Sequence, residues 1–384
     1  MNLNKWSEAT DSAKAKCLIL LICLTSAASA QVQTAPIASK TDEWNARLAF
    51  YSPDGTHLLV TLCKYGVGRG RFPTMCRPWR YHLTDKRWEE IALSPSDPDW
   101  DINSASYSPD GKTIAASYVK CQPSTGQIAR TCPYLDYRLL LIDAATGTHR
   151  TIASENARFQ PSFTPDGKSL VYWQLDNLQG VATGTTAMPA RQPQTLYATH
   201  NIHTLQLGDG QERIAIAVKA QLPLAPPRVF PDGVRVTVSG MGVIGSVTTP
   251  EGVYKGMWGM EQAIERDDSY LIGNLQTGEM KAPLPRGYPL KVVFDVNGSN
   301  TQKLEQLVYR LGGNLYVNDV EGKDAVKLTP EFAIGTRQYK SIKHASFAPD
   351  GRSFVYVFGY ELATAPVRPD AEFEIIPRPT FQLP

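Results

Sequence analysis

The chain is expected to be all-β, a six-bladed β-propeller of four-stranded antiparallel blades. Three observations predict it. First, a Pro-Asp-Gly corner recurs as YSPDG at Tyr51 and Tyr107, FTPDG at Phe163, VFPDG at Val229 and FAPDG at Phe347. Second, its aspartates, Asp54, Asp110, Asp166, Asp232 and Asp350, lie 56, 56, 66 and 118 residues apart. The last interval is about twice the others, which places a degenerate sixth copy at LKVVFDVNG, residues 290–298. Periods of this size mark propellers and solenoids. Third, each corner joins two β-rich segments and is followed by a second turn-rich hairpin. Four strands per unit, a to d, repeated around an axis make a propeller.

The corner chemistry is conformational. Proline presets φ near −65° at the first corner of a type I turn. Asp54, Asp110, Asp166, Asp232 and Asp350 can accept nearby backbone N–H groups. Gly55, Gly111, Gly167, Gly233 and Gly351 suit the left-handed position that closes such a loop. A hairpin tip offers too few oxygen ligands for calcium, so these residues read as joints.

Strand b follows each corner, as in HLLVTL, TIAASYV, SLVYW and SFVYVF. Valine, isoleucine, tyrosine and phenylalanine fit a pleated, half-buried surface. The c–d hairpins are LTDKRW at Leu83, IDAATGTH at Ile142, LGDGQE at Leu207, NLQTGEM at Asn274 and NDVEGKD at Asn318. After SFVYVFG the chain offers AEFEIIP and a proline-rich end, and no c–d hairpin is predicted there. Residues 31–44, with a strand around Gln31–Thr41, are therefore expected to complete the last sheet, and 45–384 to form the ring.

The [Y/F]-[S/T/A]-P-D-G-[K/R/T] corner followed by an alternating strand resembles the WD-like repeat of TolB-type propellers, over roughly residue 45 to the C-terminus. The TolB α/β domain that precedes such a propeller has no room between Gln31 and Trp44. The resemblance implies work in the cell envelope or periplasm.

Residues 1–30 read as a secretory signal peptide. Lys14 and Lys16 precede the apolar run CLILLICLTSAA, and Ala28-Ser29-Ala30 offers a cleavage site. The run is too short to span a bilayer, and no other stretch is long enough. Cleavage near Ala30 leaves a net charge of +1 and a periplasmic or secreted protein. That balance gives no reason to propose nucleic acid or an anionic membrane as partner.

Four cysteines then remain, an even count that suggests disulfides in an exported chain. Cys63 ends strand b of the first unit and Cys76 begins its strand c; Cys121 and Cys132 hold the matching places in the second. The expected bonds are Cys63–Cys76 and Cys121–Cys132, each clipping the base of a loop.

In a blade the a–b and c–d turns share one face, and the b–c and d–a loops share the other. The turn face is short and uniform. The b–c loops are long in four consecutive units, from Lys64, Gln122, Asp176 and Gly240. Long loops on a rigid scaffold are where binding usually lives. The first carries Tyr65, Arg69 and Arg71, suited to an anionic or acidic partner. The fourth carries Met257 and Trp258, suited to adaptable protein or peptide contacts. The expected function is thus a protein- or peptide-binding scaffold of the cell envelope. A polysaccharide-acting lyase or hydrolase with its site in the central channel is the alternative, and would need histidine, arginine or carboxylates converging there. His344 is the only histidine so placed. His200 and His203 are expected on opposite strand faces and share no metal. DPDWDIN brings Asp97, Asp99 and Asp101 together, but Ile102 replaces the glycine of a calcium loop. No catalytic residue, cofactor or metal is expected.

Overall fold

The computed structural model describes residues 44–65, 73–93, 100–121, 136–152, 157–179, 197–220, 222–241, 243–258, 271–282, 292–297, 306–311, 314–319, 325–329, 342–369 and 371–379. These hold strands and no α-helix.

The first blade is β1 (Asn45–Tyr51), β2 (His57–Tyr65), β3 (Pro73–His82) and β4 (Trp88–Glu90). The second is β5 (Trp100–Tyr107), β6 (Thr113–Lys120), β7 (Arg138–Asp143) and β8 (His149–Ile152). The third is β9 (Arg158–Phe163), β10 (Ser169–Gln179), β11 (Tyr197–Gln206) and β12 (Glu212–Ala220). In the fourth, a short pair of β13 (Leu222–Pro223) and β15 (Gly240–Met241) flanks β14 (Arg235–Val238). The same blade continues with β16 (Val243–Thr249), β17 (Gly252–Trp258), β18 (Leu271–Asn274) and β19 (Met280–Lys281). The fifth is β20 (Val292–Asn297), β21 (Gln306–Leu311), β22 (Asn314–Asp319) and β23 (Val326–Lys327). The sixth is β24 (Ile342–Phe347), β25 (Ser353–Phe358), β26 (Glu361–Pro366) and β27 (Glu374–Ile376). Five sheets run a-b-c-d in simple antiparallel order.

Each sheet packs on the next through its own apolar wedge. Leu59, Ile91 and Ile102 join blades one and two. Leu139, Leu170 and Tyr172 join two and three. Trp173, Ile216 and Val236 join three and four. Phe230, Ile272 and Leu307 join four and five. Val308, Phe347 and Phe354 join five and six. Leu58, Val60 and Trp79 meet Val355 and Leu362, returning six to one. Six sheets with six such seams close a ring. The fold is a six-bladed β-propeller.

The repeated corner is a type I turn. Gly55 donates to the Ser52 carbonyl at 2.9 Å, and Gly111 to that of Ser108 at 2.9 Å. Gly55, Gly111, Gly167, Gly233 and Gly351 all have φ between 68° and 73°. A side chain there would strain the backbone. Asp54 Oδ1 accepts from the Ser52 hydroxyl (2.6 Å) and the Thr56 amide (3.1 Å). These bonds, the Ser52 hydroxyl first, hold the Asp54 carboxyl down at about 2. Asp110 and Asp166 repeat the pattern. The carboxylates are consumed by their own turns.

Two parts of the ring depart from the sequence reading. The last blade was expected to lack an outer hairpin; it has both outer strands, β26 and β27, with Leu362 opposite Ile376. AEFEIIP supplies β27 despite its flanking prolines, which sit outside the paired residues. The Gln31–Thr41 segment lies outside the described residues, and so do the expected signal peptide and Cys132.

The fourth blade is the other. Its insertion, expected as a loop from Gly240, folds into the β16–β17 hairpin and adds itself to the outer edge of the sheet, giving the order β14-β18-β19-β16-β17. β16 pairs in parallel with β19 through Val247 and Thr248. Its innermost strand shrinks to one bridge, Val229 to Val236. Pro226 and Pro227 precede that bridge and bring no N–H to a ladder.

Candidate functional site

The innermost strands contact one another around the axis, so a bulge in one of them re-aims a side chain near the channel. β1, β5 and β24 each skip one residue against their partner strand: Arg47, Asn103 and Lys343. All three stand seven residues before their corner aspartate and are only partly buried. Gln160 sits at the corresponding irregularity of β9, with φ at 53°.

Deeper in, side chains from four blades meet across the axis. Arg228 follows the two prolines of blade four. Its guanidinium lies 4.9 Å from the ring centre of Phe50 in blade one, and its Nε donates to Asp295 Oδ1 in blade five at 2.8 Å. Asp295 Oδ1 also accepts from the Val296 amide at 3.0 Å. Asp295 Oδ2 accepts from the Ser346 hydroxyl (2.6 Å) and the Phe347 amide (3.0 Å) of blade six. Four donors thus saturate a carboxylate that is 3% exposed. His344 packs edge-on between Phe50 and Phe294, with ring centres 4.5 and 5.7 Å away. Burial pushes it down to about 3, so it is neutral. Its two nitrogens make no hydrogen bond of good geometry, although the Ala49 backbone lies beside it. A histidine, an arginine and a carboxylate do converge on the axis, but Arg228 and Asp295 engage each other and His344 packs between phenylalanines, a plug joining four blades.

Above the plug, on the side of the b–c loops, the mouth is cationic. The Lys343 ammonium lies 3.9 Å from the ring centre of Tyr360, at the b–c turn of blade six. Burial, and then the neighbouring Arg47 charge, bring Lys343 down to about 8. Arg310 Nη1 donates to the Ile342 carbonyl next to it at 2.9 Å, and burial lowers its pKa too. The nearby Glu361 is occupied by Arg378.

The Cys63–Cys76 disulfide forms, with the two residues directly opposite in β2 and β3 and Cα atoms 4.0 Å apart. Cys121 is also disulfide-bonded. The buried Asp101 carboxylate accepts from the Cys76 amide, so this acid of the DPDWDIN stretch ties two blades together. Asp97 and Asp99 lie outside the described residues, among which no group of three metal-binding side chains occurs. Arg77 donates to the Trp100 carbonyl, and Arg80 to the Ala144 carbonyl at 2.6 Å. These loop-flanking arginines are struts between blades one and two.

Of the partner-contact candidates, Arg69 and Arg71 lie outside the described residues. Tyr65 ends β2, while Met257 and Trp258 fall on β17. The structure adds Arg47, Lys343, Arg228 and Asp295, which sequence reasoning missed. A signal existed: the place seven before a corner reads Arg, Asn and Lys in three blades, where an inner strand should be apolar.

A second polar network lies within blade three, across its four strands. His203 Nε2 meets Asp176 Oδ2 at 2.9 Å and its Nδ1 lies 3.4 Å from Glu212. Glu212 also takes Arg158 and the Tyr172 hydroxyl, and Asn201 donates to Asp176 at 2.6 Å. His200 is elsewhere, bonded to the Ala220 carbonyl at 3.2 Å.

No family model matches the chain, and no curated protein matches it in sequence. Among solved structures, hydrazine synthase from Kuenenia stuttgartiensis is 11% identical, covering 87% of this chain and 80% of that one at a TM-score of 0.46. Oligogalacturonate lyase from Vibrio parahaemolyticus is 12% identical, covering 87% and 79% at 0.48. A nidogen/laminin complex is 7% identical, covering 76% and 86% at 0.48. These likenesses are weak, and the fold rests on the sheet topology above. Among the described residues no helix is long and apolar enough to cross a membrane.

Proposed function

We propose that the protein is a binding scaffold of the cell envelope that captures an extended segment of another protein on the insertion of blade four. One observation carries this reading. The insertion is a hairpin whose outer strand, β17, has a single strand neighbour among the described residues. Seven residues of open backbone edge can hydrogen-bond an added strand. Val253 on it is 63% exposed, the most exposed large apolar side chain among the described residues.

The occupant is better a different protein than a second copy. Lys255 is the middle residue of β17, so antiparallel self-pairing about that centre sets lysine against lysine. Like charges directly opposite are destabilising. The enzyme alternative gains nothing from the axial cluster: four donors, Arg228 among them, saturate Asp295, and His344 is buried and neutral between two phenylalanines. The TolB-type resemblance and the Cys63–Cys76 bond support an exported location.

The test is site-specific photo-crosslinking in the producing cell. A benzophenone amino acid at Lys255 should give one adduct of defined mass, and the same group at Lys112 on the turn face should give none. No adduct at Lys255, or equal adducts at both sites, removes the reading.

A further inference from the structure

We infer that Arg47 and Lys343, paired across the seam of blades one and six, form a binding site for a carboxylate at the loop-side mouth of the channel. This goes beyond capture on the hairpin and does not depend on it.

Two cations come from adjacent innermost strands, each at a bulge that sets its side chain apart from the ladder. Bulges bend a strand and are over-represented at sites where a side chain must be re-aimed. A bulge kept for packing would carry an apolar residue, as blade five does with the buried Phe294. Lys343 is held from a second side by the Tyr360 ring. Placing two like charges together in a half-buried mouth costs free energy unless an anion joins them. Burial, and then the Arg47 charge, favour the neutral amine at Lys343, and no carboxylate among the described residues pairs with it. Two acids of the neighbouring strands are spoken for among the described residues: Asp295 by four donors, Glu361 by Arg378. The site takes a carboxylate group presented from the loop side. A guanidinium fork beside an ammonium suits a planar monoanion.

Reductive methylation with ¹³C labels every lysine of the full chain and gives Lys343 its own NMR signal, assigned by its loss in Lys343→Arg. Citrate and the peptide N-acetyl-triglutamate are the probes, with inorganic phosphate as comparator. The expected result is a saturable shift of the Lys343 signal with either acid, an upward move of its titration midpoint on binding, and no change at Lys112. Arg47→Gln should weaken that response about tenfold. A response to the peptide alone assigns the carboxylate to a protein partner; a response to citrate alone assigns it to a small acid. The proposal is overturned by a Lys343 signal unmoved by both acids, by one that answers phosphate alone, or by an undiminished response in a folded Arg47→Gln protein. If that variant does not fold, the wild-type titration still decides.

Discussion

The guanidinium of Arg228 lies 4.9 Å from the ring centre of Phe50, so blades four and one touch across the axis of the ring. Through Asp295 and Ser346 the same contact reaches blades five and six. Asp295→Ala should therefore cost about 3 kcal/mol in urea unfolding, because it leaves a part-buried guanidinium without its counter-charge. Arg228→Leu with Asp295→Ala should recover much of that loss. A double variant no better than the single one would show that the plug contributes little through charge.

Reducing the Cys63–Cys76 bond should lower stability by roughly 3 kcal/mol in the chain-entropy view, since it closes a span of 13 residues. The pair stands in register within a ladder running from His57 to Tyr65, so Cys63→Ser with Cys76→Ser should keep the sheet and lose only midpoint in a thermal melt. Loss of the β-sheet circular dichroism at room temperature would contradict this.

The polar network within blade three makes stability depend on pH from both sides. Burial alone would raise Glu212, but His203, Tyr172 and Arg158 hold it down at about 2 against an ordinary 4.5. Its contribution is present above pH 4.5 and is lost as pH falls toward 2. His203 is opposed by burial yet raised above 6.5 by Asp176 and Glu212. Its contribution is whole below 6.5 and fades as pH climbs through the raised value. Denaturation midpoints should peak between these limits. Glu212→Gln should flatten the acid limb and His203→Gln the alkaline limb; limbs unchanged in both variants would exclude the network as their source.

Gly147 and Gly210 share almost the same φ, 71° and 74°. A Cβ on Gly147 would lie 1.8 Å from the Ala92 carbonyl oxygen, whereas one on Gly210 meets nothing within 4 Å. Gly210→Ala should cost about 1 kcal/mol for conformation alone, and Gly147→Ala several times that. Equal thermal shifts would refute the close approach.

The ring was legible because its signal is local and repeated. Proline, aspartate and glycine at one place in each unit specify a corner without long-range information, and alternating strands follow it. Cys63 and Cys76 were legible for the same reason, at matching ends of neighbouring strands. What stayed hidden depends on contacts across the ring. Nothing near Arg228 in sequence announces Asp295 or Phe50. The β16–β17 hairpin read as a loop because its glycines dilute the alternation. The last blade read as unfinished because β27 has only three residues.

The missing side chain of Gly55 faces Pro349 Cδ at 3.7 Å, that of Gly111 faces Pro53 at 3.7 Å, and that of Gly167 faces Pro109 at 3.5 Å, while Gly233 has no such neighbour within 4 Å. Corners from blade six through blade three are seated like overlapping roof tiles, and the overlap stops where blade four begins. A circular permutant opened just ahead of Arg228 would leave every tile in place, whereas new ends cut between any earlier pair would lift one off the next.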